Sequence, residues 1–351
     1  MAVLAKLPIL LALFLFSIAP AGLSGQAENF LNEALDLHDA GQLKEAIQAY
    51  DKAIKANSRL AVAYYNRGNA YYDLGQNRQA IKDYSQAIRL NPKDAEAYFN
   101  RGNAHRRLKN DQLALEDYTA AIKLNPEDTR SYVNRGSIHF SKSRYESAAK
   151  DFTEAIRLSP KDPELHYNRG NSYLTLNKND AAIEDYDTAL RLDSKLVDAY
   201  YNRGIAYSDS GKHEHAIADF NEVLTRNPKS GNAFYNRGLS NAKLGKHEAA
   251  IEDFSEALRI NPTDAEANHN RGLAYLRVAD YGRAARDFTE AIRLQPRNAD
   301  AYLYRGIARV YQEKDKEADA DFQKAFRLNP GSKKRLQPLI NEAREQVKEK
   351  R

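Results

Sequence analysis

The triplet Asn-Arg-Gly occurs seven times in this chain, and each occurrence lies 34 residues after the previous one. Two of its side chains can bind a partner. The arginine guanidinium carries a planar fork of N–H donors that matches a carboxylate or a phosphate, and the asparagine amide offers both a donor and an acceptor. The triplets begin at Asn66, Asn100, Asn134, Asn168, Asn202, Asn236 and Asn270.

The arginines could form a track for a polyanion, because a row of cations neutralises the phosphates of a nucleic acid. An aspartate 16 residues after each arginine favours a different interpretation. It accompanies all eight such arginines, and both are absent from the stretch before the first triplet, where Glu33 and Ala49 stand instead. Because the arginine and the aspartate are absent together, the pattern predicts that they form a structural ion pair. We therefore expect no nucleic-acid partner. The first four predicted pairs are Arg67–Asp83, Arg101–Asp117, Arg135–Asp151 and Arg169–Asp185.

The asparagine is then the residue of the triplet that is left to meet a partner. It is a weaker helix former than Ala, Glu or Lys, yet it recurs while its neighbours on the same helix face vary. The pattern predicts a ladder of amides, each holding one peptide group of an extended polypeptide; the alternative is that each Asn only bridges to the backbone of the neighbouring repeat. Nearby residues extend the predicted groove: Tyr65, Phe99, Tyr167, Tyr201, Tyr235, Asn69, Asn103 and Asn171.

Residues suited to catalysis or metal binding do not form a recognisable site. The chain has no Cys, so it has neither a thiolate nucleophile nor a disulfide. His213 and His215 are two residues apart, which places them on different faces of a helix rather than on one metal ion. The sequence also lacks a phosphate-binding Gly loop and a nucleophile elbow. We therefore predict no enzymatic activity, no cofactor and no metal.

The 34-residue period continues beyond the triplet and predicts an all-α fold. Within a repeat, position 8 is Gly, position 20 Ala, position 24 Tyr or Phe, and position 32 mostly Pro, which ends a helix. Positions 4, 8 and 11 predict the buried face of a first helix, and 17, 20, 24 and 27 that of a second. We expect the Gly to lie against the Ala. The nine repeats span residues 27–60, 61–94, 95–128, 129–162, 163–196, 197–230, 231–264, 265–298 and 299–332.

This pattern over residues 27–332 resembles the tetratricopeptide repeat. The resemblance implies a right-handed α-solenoid of antiparallel helix pairs, with a concave groove lined by the first helix of each pair. Position 11, often Tyr in that family, departs from it, and we expect looser packing there. The departures are His105, His139, Asn241 and Arg309.

Two relatives within the family point in different directions. The repeat domain of O-linked N-acetylglucosamine transferase lines its groove with Asn at this position and holds peptides by their backbones; its catalytic domain has no counterpart here. Co-chaperones that grip a C-terminal carboxylate use Lys at position 5 and Arg at position 6 in certain repeats. In this chain those positions carry neither residue, so the resemblance does not extend to a carboxylate clamp.

The two ends of the chain differ from the repeats. Residues 1–25 have one early Lys6, an apolar run over 7–19 and then Ala19-Pro20-Ala21, which predicts a signal peptide; the alternative is an uncleaved N-terminal anchor formed by residues 7–19. Residues 333–351 are polar and predict a C-terminal capping helix.

The sequence thus predicts an exported, periplasmic scaffold without catalytic activity, which binds a protein or an extended peptide in its groove. Two alternatives remain open: binding of a polyanion along the arginine stripe, and self-association through the terminal repeats, of which the first is atypical.

Overall fold

The computed structural model describes residues 25–349, and within that range all regular structure is helical. The predicted signal peptide or anchor therefore lies, except for Gly25, outside the described residues. No helix within residues 25–349 is long and apolar enough to span a membrane. The chain divides into two compact halves, Met1–Pro160 and Lys161–Arg351, which we call the N-terminal and C-terminal halves.

The N-terminal half contains four helical hairpins, each with a first and a second helix. Its helices are α1 (Gly25–Asp39), α2 (Leu43–Ala56), α3 (Ala61–Asp73), α4 (Asn77–Leu90), α5 (Ala95–Arg107), α6 (Asp111–Leu124), α7 (Thr129–Ser141) and α8 (Tyr145–Leu158). Each first helix packs between its own second helix and the second helix of the preceding hairpin. The result is a continuous stack of repeats.

The C-terminal half contains five hairpins and one further helix. Its helices are α9 (Pro163–Thr175), α10 (Asn179–Leu192), α11 (Val197–Asp209), α12 (His213–Arg226), α13 (Gly231–Lys243), α14 (His247–Ile260), α15 (Ala265–Arg277), α16 (Tyr281–Leu294), α17 (Ala299–Tyr311), α18 (Asp315–Leu328) and α19 (Lys333–Glu349). A short 3-10 turn, Pro330–Ser332, leads into α19. The same stacking order holds from α9 to α18, so both halves are solenoids of tetratricopeptide-like hairpins.

The buried face of the first helix differs from the predicted one. Positions 3 and 10 are buried from the second repeat to the ninth, whereas positions 4 and 11 are only partly so in several repeats. Ala63 packs against Ala46 and Ala53 of the preceding repeat, and Ala104 against Ala80. The prediction that positions 4, 8 and 11 form the buried face was incomplete because it considered a single hairpin. In the stack, the first helix is buried on two sides.

The glycine at position 8 lies against the aromatic ring at position 24, not against the alanine at position 20 as predicted. A Cβ added to Gly68 would approach the Tyr84 ring to 2.8 Å, and one added to Gly306 would approach the Phe322 ring to 2.5 Å. These separations are below van der Waals contact, so the ring occupies the space that a side chain would need. The helix tolerates the roughly 1 kcal/mol cost of Gly because Gly admits the ring.

The turn inside each hairpin has one residue in the left-handed region, at position 15. It is Gly in four repeats, with φ of 74–75°, and another residue in five, with φ of 57–60°. The non-glycine residues are Lys109, Ser143, Asn177, Ala279 and Glu313. Since L-residues avoid this region, these five turns carry a local cost that the other four do not.

First helices line one side of each half. In the C-terminal half, consecutive first helices from α9 to α17 contact each other, and in the N-terminal half α3 contacts both α1 and α5. Among the described residues no two second helices make comparable contacts. First helices that lie closer together than second helices give each half a concave side, formed by the first helices. We call the side chains at positions 2, 5, 6 and 9 of the first helices the first-helix face.

The last helix, α19, packs on α17. Its Ile340 and Ala343 are buried with Leu303, Ile307 and Val310 of the ninth repeat. The apolar end of the solenoid is therefore covered by the residues predicted to cap it.

Candidate groove on the first helices

Each arginine at position 7 meets the aspartate at position 23 of the same repeat. In the eight pairs, Nη2 lies 2.6–2.8 Å from one carboxylate oxygen, and Nε donates to the carboxylate at 2.7–3.1 Å. The pairs are Arg67–Asp83, Arg101–Asp117, Arg135–Asp151, Arg169–Asp185, Arg203–Asp219, Arg237–Asp253, Arg271–Asp287 and Arg305–Asp321. The aspartates are buried, being 3–7% exposed.

The remaining arm of the guanidinium reaches the preceding repeat. Arg101 Nη1 donates to Ser85 Oγ at 3.0 Å, and Arg271 Nη1 donates to Ser255 Oγ at 3.1 Å. Position 25 accepts in the same way elsewhere, for example at Asp187. Sequence reasoning missed this contact, although a short polar residue recurs at position 25 in the first eight repeats. Within each half, the arginines thus close their own hairpins and tie successive hairpins together.

Position 11 supplies a further partner to the buried aspartate where it departs from Tyr. Asn241 Nδ2 donates to Asp253 Oδ2 at 2.9 Å, Arg309 Nη1 donates to Asp321 Oδ2 at 2.6 Å, and His105 Nε2 lies 3.9 Å from Asp117 Oδ2. The expectation of looser packing at these positions did not include this polar contact. All four departures carry a nitrogen that can face a carboxylate.

The charge state of these groups follows from the contacts. The hydrogen bond to Asp185 raises the pKa of Arg169, and that to Asp287 raises the pKa of Arg271. Burial lowers the pKa of His105, against the opposing effect of Asp117. Near neutral pH the histidine is therefore uncharged, and the arginines are cations held by carboxylates.

The asparagines at position 9 accept hydrogen bonds from buried tyrosines. The Tyr84 hydroxyl donates to Asn69 Oδ1 at 2.8 Å, and the Tyr118 hydroxyl donates to Asn103 Oδ1 at 2.7 Å. The Tyr186 hydroxyl donates to Asn171 Oδ1 at 2.8 Å in the same way. A buried hydroxyl without a partner is costly, so Asn69, Asn103 and Asn171 have a structural task that their proposed role in binding did not include.

The asparagines at position 6 bridge successive first helices. Asn100 Nδ2 donates to the Tyr65 hydroxyl at 2.9 Å and to Asn69 Oδ1 at 3.3 Å. Four more asparagines at position 6 donate from Nδ2 to a side chain of the preceding first helix. Asn134 donates to Asn103, Asn202 to Asn171, Asn236 to Tyr201, and Asn270 to Tyr235. Bridging between repeats does occur, but through side chains rather than through the backbone that the sequence-based alternative named.

Asn66 differs from the rest of the row. Its Nδ2 donates to the carbonyl of Val62 in its own helix at 3.0 Å, because the preceding repeat has Leu31 and Leu35 at positions 5 and 9 and offers no acceptor there. Asn168 lies on α9 and is half-buried like the other members. The row is therefore continuous along the first helices of each half, with a change of partner at its start.

The bridges use the nitrogen of each amide. Because Asn171 Oδ1 already accepts from the Tyr186 hydroxyl, Asn202 meets it with Nδ2. Nδ2 of Asn236 and of Asn270 likewise lies at a tyrosine hydroxyl of the preceding repeat. Within residues 25–349, no side chain or backbone group donates to Oδ1 of Asn202, Asn236 or Asn270. These amides therefore keep an acceptor available to a bound chain, while their nitrogen is already used within the protein.

The aromatic row at position 5 packs within the protein. The rings of Tyr65, Phe99, Tyr167, Tyr201 and Tyr235 lie 5.8–6.1 Å from the ring at position 24 of the same repeat. Phe99 is buried and covered by Arg130, whereas the four tyrosines are half-buried. Burial raises the pKa of Tyr65 to about 12, and burial followed by Glu266 raises that of Tyr235 to about 12. Their hydroxyls stay protonated near neutral pH.

No group of three or more metal-ligating side chains occurs among the described residues. The arrangement can therefore offer hydrogen-bond acceptors, half-buried rings and, at position 2, charged side chains to a bound chain. Family models described as TPR repeat match residues 34–75, 68–109, 136–177 and 170–211, and models described as tetratricopeptide repeat match 95–128, 201–265 and 269–333. No curated protein matches the chain.

Several solved structures resemble the described fold. The crystal structure of YrrB, described as a TPR protein with an unusual peptide-binding site, is 26% identical and covers 53% of this chain and 96% of its own, with a TM-score of 0.50. The C-terminal part of a TPR repeat-containing protein from Cytophaga hutchinsonii is 19% identical, covering 77% and 97% with a TM-score of 0.51. Pseudomonas aeruginosa pilF is 20% identical, covering 64% and 99% with a TM-score of 0.50. The last two likenesses concern the fold alone.

Proposed function

This chain belongs to the tetratricopeptide repeat family, and from that membership we propose that it is a non-catalytic scaffold whose first-helix face binds an extended polypeptide. Tetratricopeptide repeats serve in general as scaffolds for protein–protein interaction. The observation that carries the finer proposal is the row of amides at position 6, whose oxygens in Asn202, Asn236 and Asn270 remain available to a bound chain. The peptide-binding site named for the similar protein YrrB supports it.

The amide oxygens suit the backbone of an extended chain. Neighbouring first helices lie in contact, hence about 8–10 Å apart, and an extended polypeptide advances about 3.3–3.6 Å per residue. One oxygen would therefore meet a backbone N–H at roughly every third residue. Such contacts hold a chain without reading its sequence, and the half-buried tyrosines at position 5 would contact its side chains.

The arginine stripe supports polyanion binding less well. Nε and Nη2 of each arginine donate to a buried aspartate, and Nη1 of most of them donates to the residue at position 25 of the preceding repeat. A phosphate would have to displace a carboxylate that is already held by two hydrogen bonds. A polyanion would also lose affinity steeply as salt rises, whereas backbone hydrogen bonds change little.

The amide row can be tested with peptides of defined sequence. Fifteen-residue peptides are screened on an array for binding to the full chain, and the tightest binder is resynthesised with one backbone amide N-methylated at a time. We expect affinity to fall at about every third position, because N-methylation removes the donor. A profile without that period, or no binding by any peptide, would contradict the proposal.

The chain offers a matched control for the protein side of this test. Asn236→Ala with Asn270→Ala removes amides at two junctions on the first-helix face. Asn221→Ala with Ser255→Ala removes hydrogen bonds at the same two junctions, but on the second helices. Weaker peptide binding is expected for the first variant only. Equal weakening in both would mean that the stability of the junctions, and not the amides, governs binding.

Export of the chain is a separate proposal. It rests on the sequence of residues 1–25, with its apolar run and the Ala19-Pro20-Ala21 pattern. Expression in a Gram-negative bacterium, osmotic release of the periplasm and N-terminal sequencing would test it. We expect a shortened chain in the periplasmic fraction. A full-length chain in the cytosol would contradict export, and a full-length chain in the membrane pellet would favour the uncleaved anchor.

A further inference from the structure

Position 2 of the first-helix face carries a row of carboxylates in the C-terminal half. Four of its five first helices have Glu or Asp there, and α13 has Asn232. The four residues are Glu164, Asp198, Glu266 and Asp300. Positions 2, 5, 6 and 9 of α9 to α17 contain no Lys or Arg. They contain one histidine, His269, whose pKa is lowered by burial against the opposing effects of Asp300 and Glu266, so near neutral pH the charges on this part of the face are acidic.

These carboxylates have no counter-charge of their own. None of the four lies within 4.0 Å of a cationic group in the described part of the chain. Around Glu164 the neighbouring charges have the same sign, and Glu266 has a neutral hydrogen-bond donor. Burial, Asp162, Asp193 and Asp198 together raise the pKa of Glu164, and the Tyr235 hydroxyl donates to Glu266 Oε2 at 3.4 Å.

A carboxylate in the first turn of a helix has a structural reason of its own, because it meets the positive end of the helix dipole. The N-terminal half separates that reason from a binding role. There Glu96 occupies the same first-turn position and is paired with Arg130, which also covers the Phe99 ring at 4.5 Å. The dipole explains a carboxylate at position 2 in either half, and Glu28 of α1 is one without an ion pair among the described residues. The C-terminal half differs in having four such carboxylates on five first helices, with no ion pair at any of them within residues 25–349.

The amides beside the carboxylates add to the same character. Asn202, Asn236 and Asn270 keep their oxygens available as acceptors, as described above. Lys161, Lys195 and Arg297 precede Glu164, Asp198 and Asp300 by three residues, in the loops, and in the described part of the chain none of them forms an ion pair with these carboxylates. Within the first helices, the next cations on the stripe of positions 2, 6, 9 and 13 are Lys243 and Arg277. A helix rises 1.5 Å per residue, so they stand about 16 Å from position 2 along the helix. The polar groups at positions 2 and 6 of this face are therefore carboxylates and amides, apart from the Tyr304 hydroxyl.

We propose that the first-helix face of the C-terminal half binds a cationic, extended segment of a partner protein, whose Lys or Arg side chains pair with Glu164 and Asp198 and with Glu266 and Asp300. The inference rests on the function proposed above and adds the chemistry of the partner. Charge complementarity is what selects this occupant, because a neutral segment would leave four carboxylates facing it without partners.

The spacing of the carboxylates predicts the spacing of the cations. Glu164 and Asp198 stand on neighbouring first helices, as do Glu266 and Asp300, and α13 with Asn232 separates the two pairs. With helices about 10 Å apart and an extended chain advancing about 3.4 Å per residue, one helix corresponds to three residues. The matching segment therefore has cations at positions i, i+3, i+9 and i+12.

Fluorescent 15-residue peptides of Gly, Ser and Ala provide the probes. One carries Lys at residues 2, 5, 11 and 14, a second carries four consecutive Lys, a third carries four Glu, and a fourth is uncharged. Binding to the full chain is measured by fluorescence anisotropy. We expect the spaced Lys peptide to bind tightest and the Glu peptide weakest. Equal affinity for the spaced and the consecutive Lys peptides would overturn the predicted register.

A charge-neutralised variant tests the residues themselves. Glu164→Gln, Asp198→Asn, Glu266→Gln and Asp300→Asn together should weaken the spaced peptide about tenfold or more, given the modest strength of each exposed pair. The control removes four exposed carboxylates from second helices, and its substitutions are Glu184→Gln, Glu214→Gln, Glu248→Gln and Glu252→Gln. Circular dichroism checks that both variants fold.

The outcomes separate this inference from the function on which it rests. Loss of affinity in the charge-neutralised variant and none in the control supports the inference. A wild-type affinity that falls on acidification also supports it. The fall should begin above the pH at which an ordinary Glu titrates, because the pKa of Glu164 is raised. Equal loss in both variants would overturn it, since only net charge would then matter. If the uncharged peptide binds as tightly as the spaced one, the charge inference fails and the groove remains. If no peptide binds, both fail.

Discussion

The two halves of the chain share one scaffold and present different first-helix faces. In the N-terminal half, Arg130 pairs with Glu96, and Arg106 Nη1 donates to Asn134 Oδ1 at 3.0 Å. In the C-terminal half, the corresponding carboxylates and the amide oxygens of Asn202, Asn236 and Asn270 have no such partner among the described residues. The contacts that close a hairpin are independent of those that make its surface, so one fold can carry two surfaces.

A second difference lies between repeats and not between the halves. In the second, third and fifth repeats a Tyr at position 24 donates to an Asn at position 9, whereas the last four repeats have Phe at 24 and Leu or Ile at 9. Leu239 and Phe254 illustrate the latter arrangement. In the first repeat Leu35 stands at position 9, and the Tyr50 hydroxyl lies 3.3 Å from His38 Nδ1 instead. A tyrosine at position 24 thus has a polar side-chain partner in each of these four repeats.

The largest change in stability is expected at the ion pairs between positions 7 and 23, which occur in both halves. Asp83→Ala in the N-terminal half and Asp287→Ala in the C-terminal half each leave a partly buried guanidinium without its carboxylate. Each should lower the free energy of unfolding by about 3–5 kcal/mol. Urea denaturation followed by circular dichroism measures both values, and we expect them to agree.

A double variant tests the reason for that loss. Arg67→Met with Asp83→Leu replaces the pair by apolar groups of similar volume and should lose much less stability than Asp83→Ala alone, because no charge is left buried. Additive losses would show that the pair is not an interacting unit. A marked difference between Asp83→Ala and Asp287→Ala would break the claim of a common scaffold.

The next effect concerns the polar pair at positions 24 and 9. Asn103→Leu leaves the buried Tyr118 hydroxyl without its acceptor and should cost about 1–3 kcal/mol. Adding Tyr118→Phe removes the orphaned hydroxyl and should restore most of the loss, since it recreates the arrangement of Phe254 and Leu239. Thermal or urea denaturation of the two single variants and the double variant gives the coupling between them.

The hairpin turns give a smaller effect that should again be the same in both halves. Lys109→Gly and Ala279→Gly place a permissive residue at a positive φ and should each stabilise the chain by about 0.5–1 kcal/mol. Gly75→Ala and Gly245→Ala serve as the reverse controls and should destabilise it. Stabilisation in one half only, measured by denaturant midpoints, would mean that the turns are not equivalent.

The smallest effect would blur the difference between the faces. Arg130→Ala frees Glu96 and gives the N-terminal half a second unpaired carboxylate at position 2, besides Glu28. An exposed ion pair contributes only about 0–1 kcal/mol, so we expect the affinity for the spaced Lys peptide to rise by no more than about fivefold. Fluorescence anisotropy detects this change. A fall in affinity would assign Arg130 a direct part in binding.

Much of the scaffold could be predicted from the sequence because nine copies of one repeat act as an internal comparison. The joint absence of Arg and Asp from the first repeat pointed to a contact between positions 7 and 23, which the coordinates place at hydrogen-bonding distance. The pairing of Tyr84 with Asn69 left the same kind of trace and could have been found by the same comparison. Position 25 is a third example, because it is polar in every repeat that is followed by a repeat with Arg at position 7.

Other features depend on how hairpins stack, which periodicity within one hairpin does not specify. The glycine at position 8 was predicted to lie against the alanine at position 20, such as Ala80, but Gly68 lies against the Tyr84 ring. The direction of each amide likewise follows from a neighbouring repeat, because the Asn69 oxygen decides that the Asn100 nitrogen points inward. The pairing of Glu96 with Arg130 also spans two repeats.

The central claim is that the first-helix face of the C-terminal half holds an extended cationic chain. Photo-crosslinking tests it most directly, using the spaced Lys peptide with a diazirine side chain at its centre and mass spectrometry to locate the attached residues in the full chain. We predict attachment to α11, α13 and α15 on the first-helix face, competed away by unlabelled peptide. Attachment to the second helices or to the N-terminal half would contradict the claim.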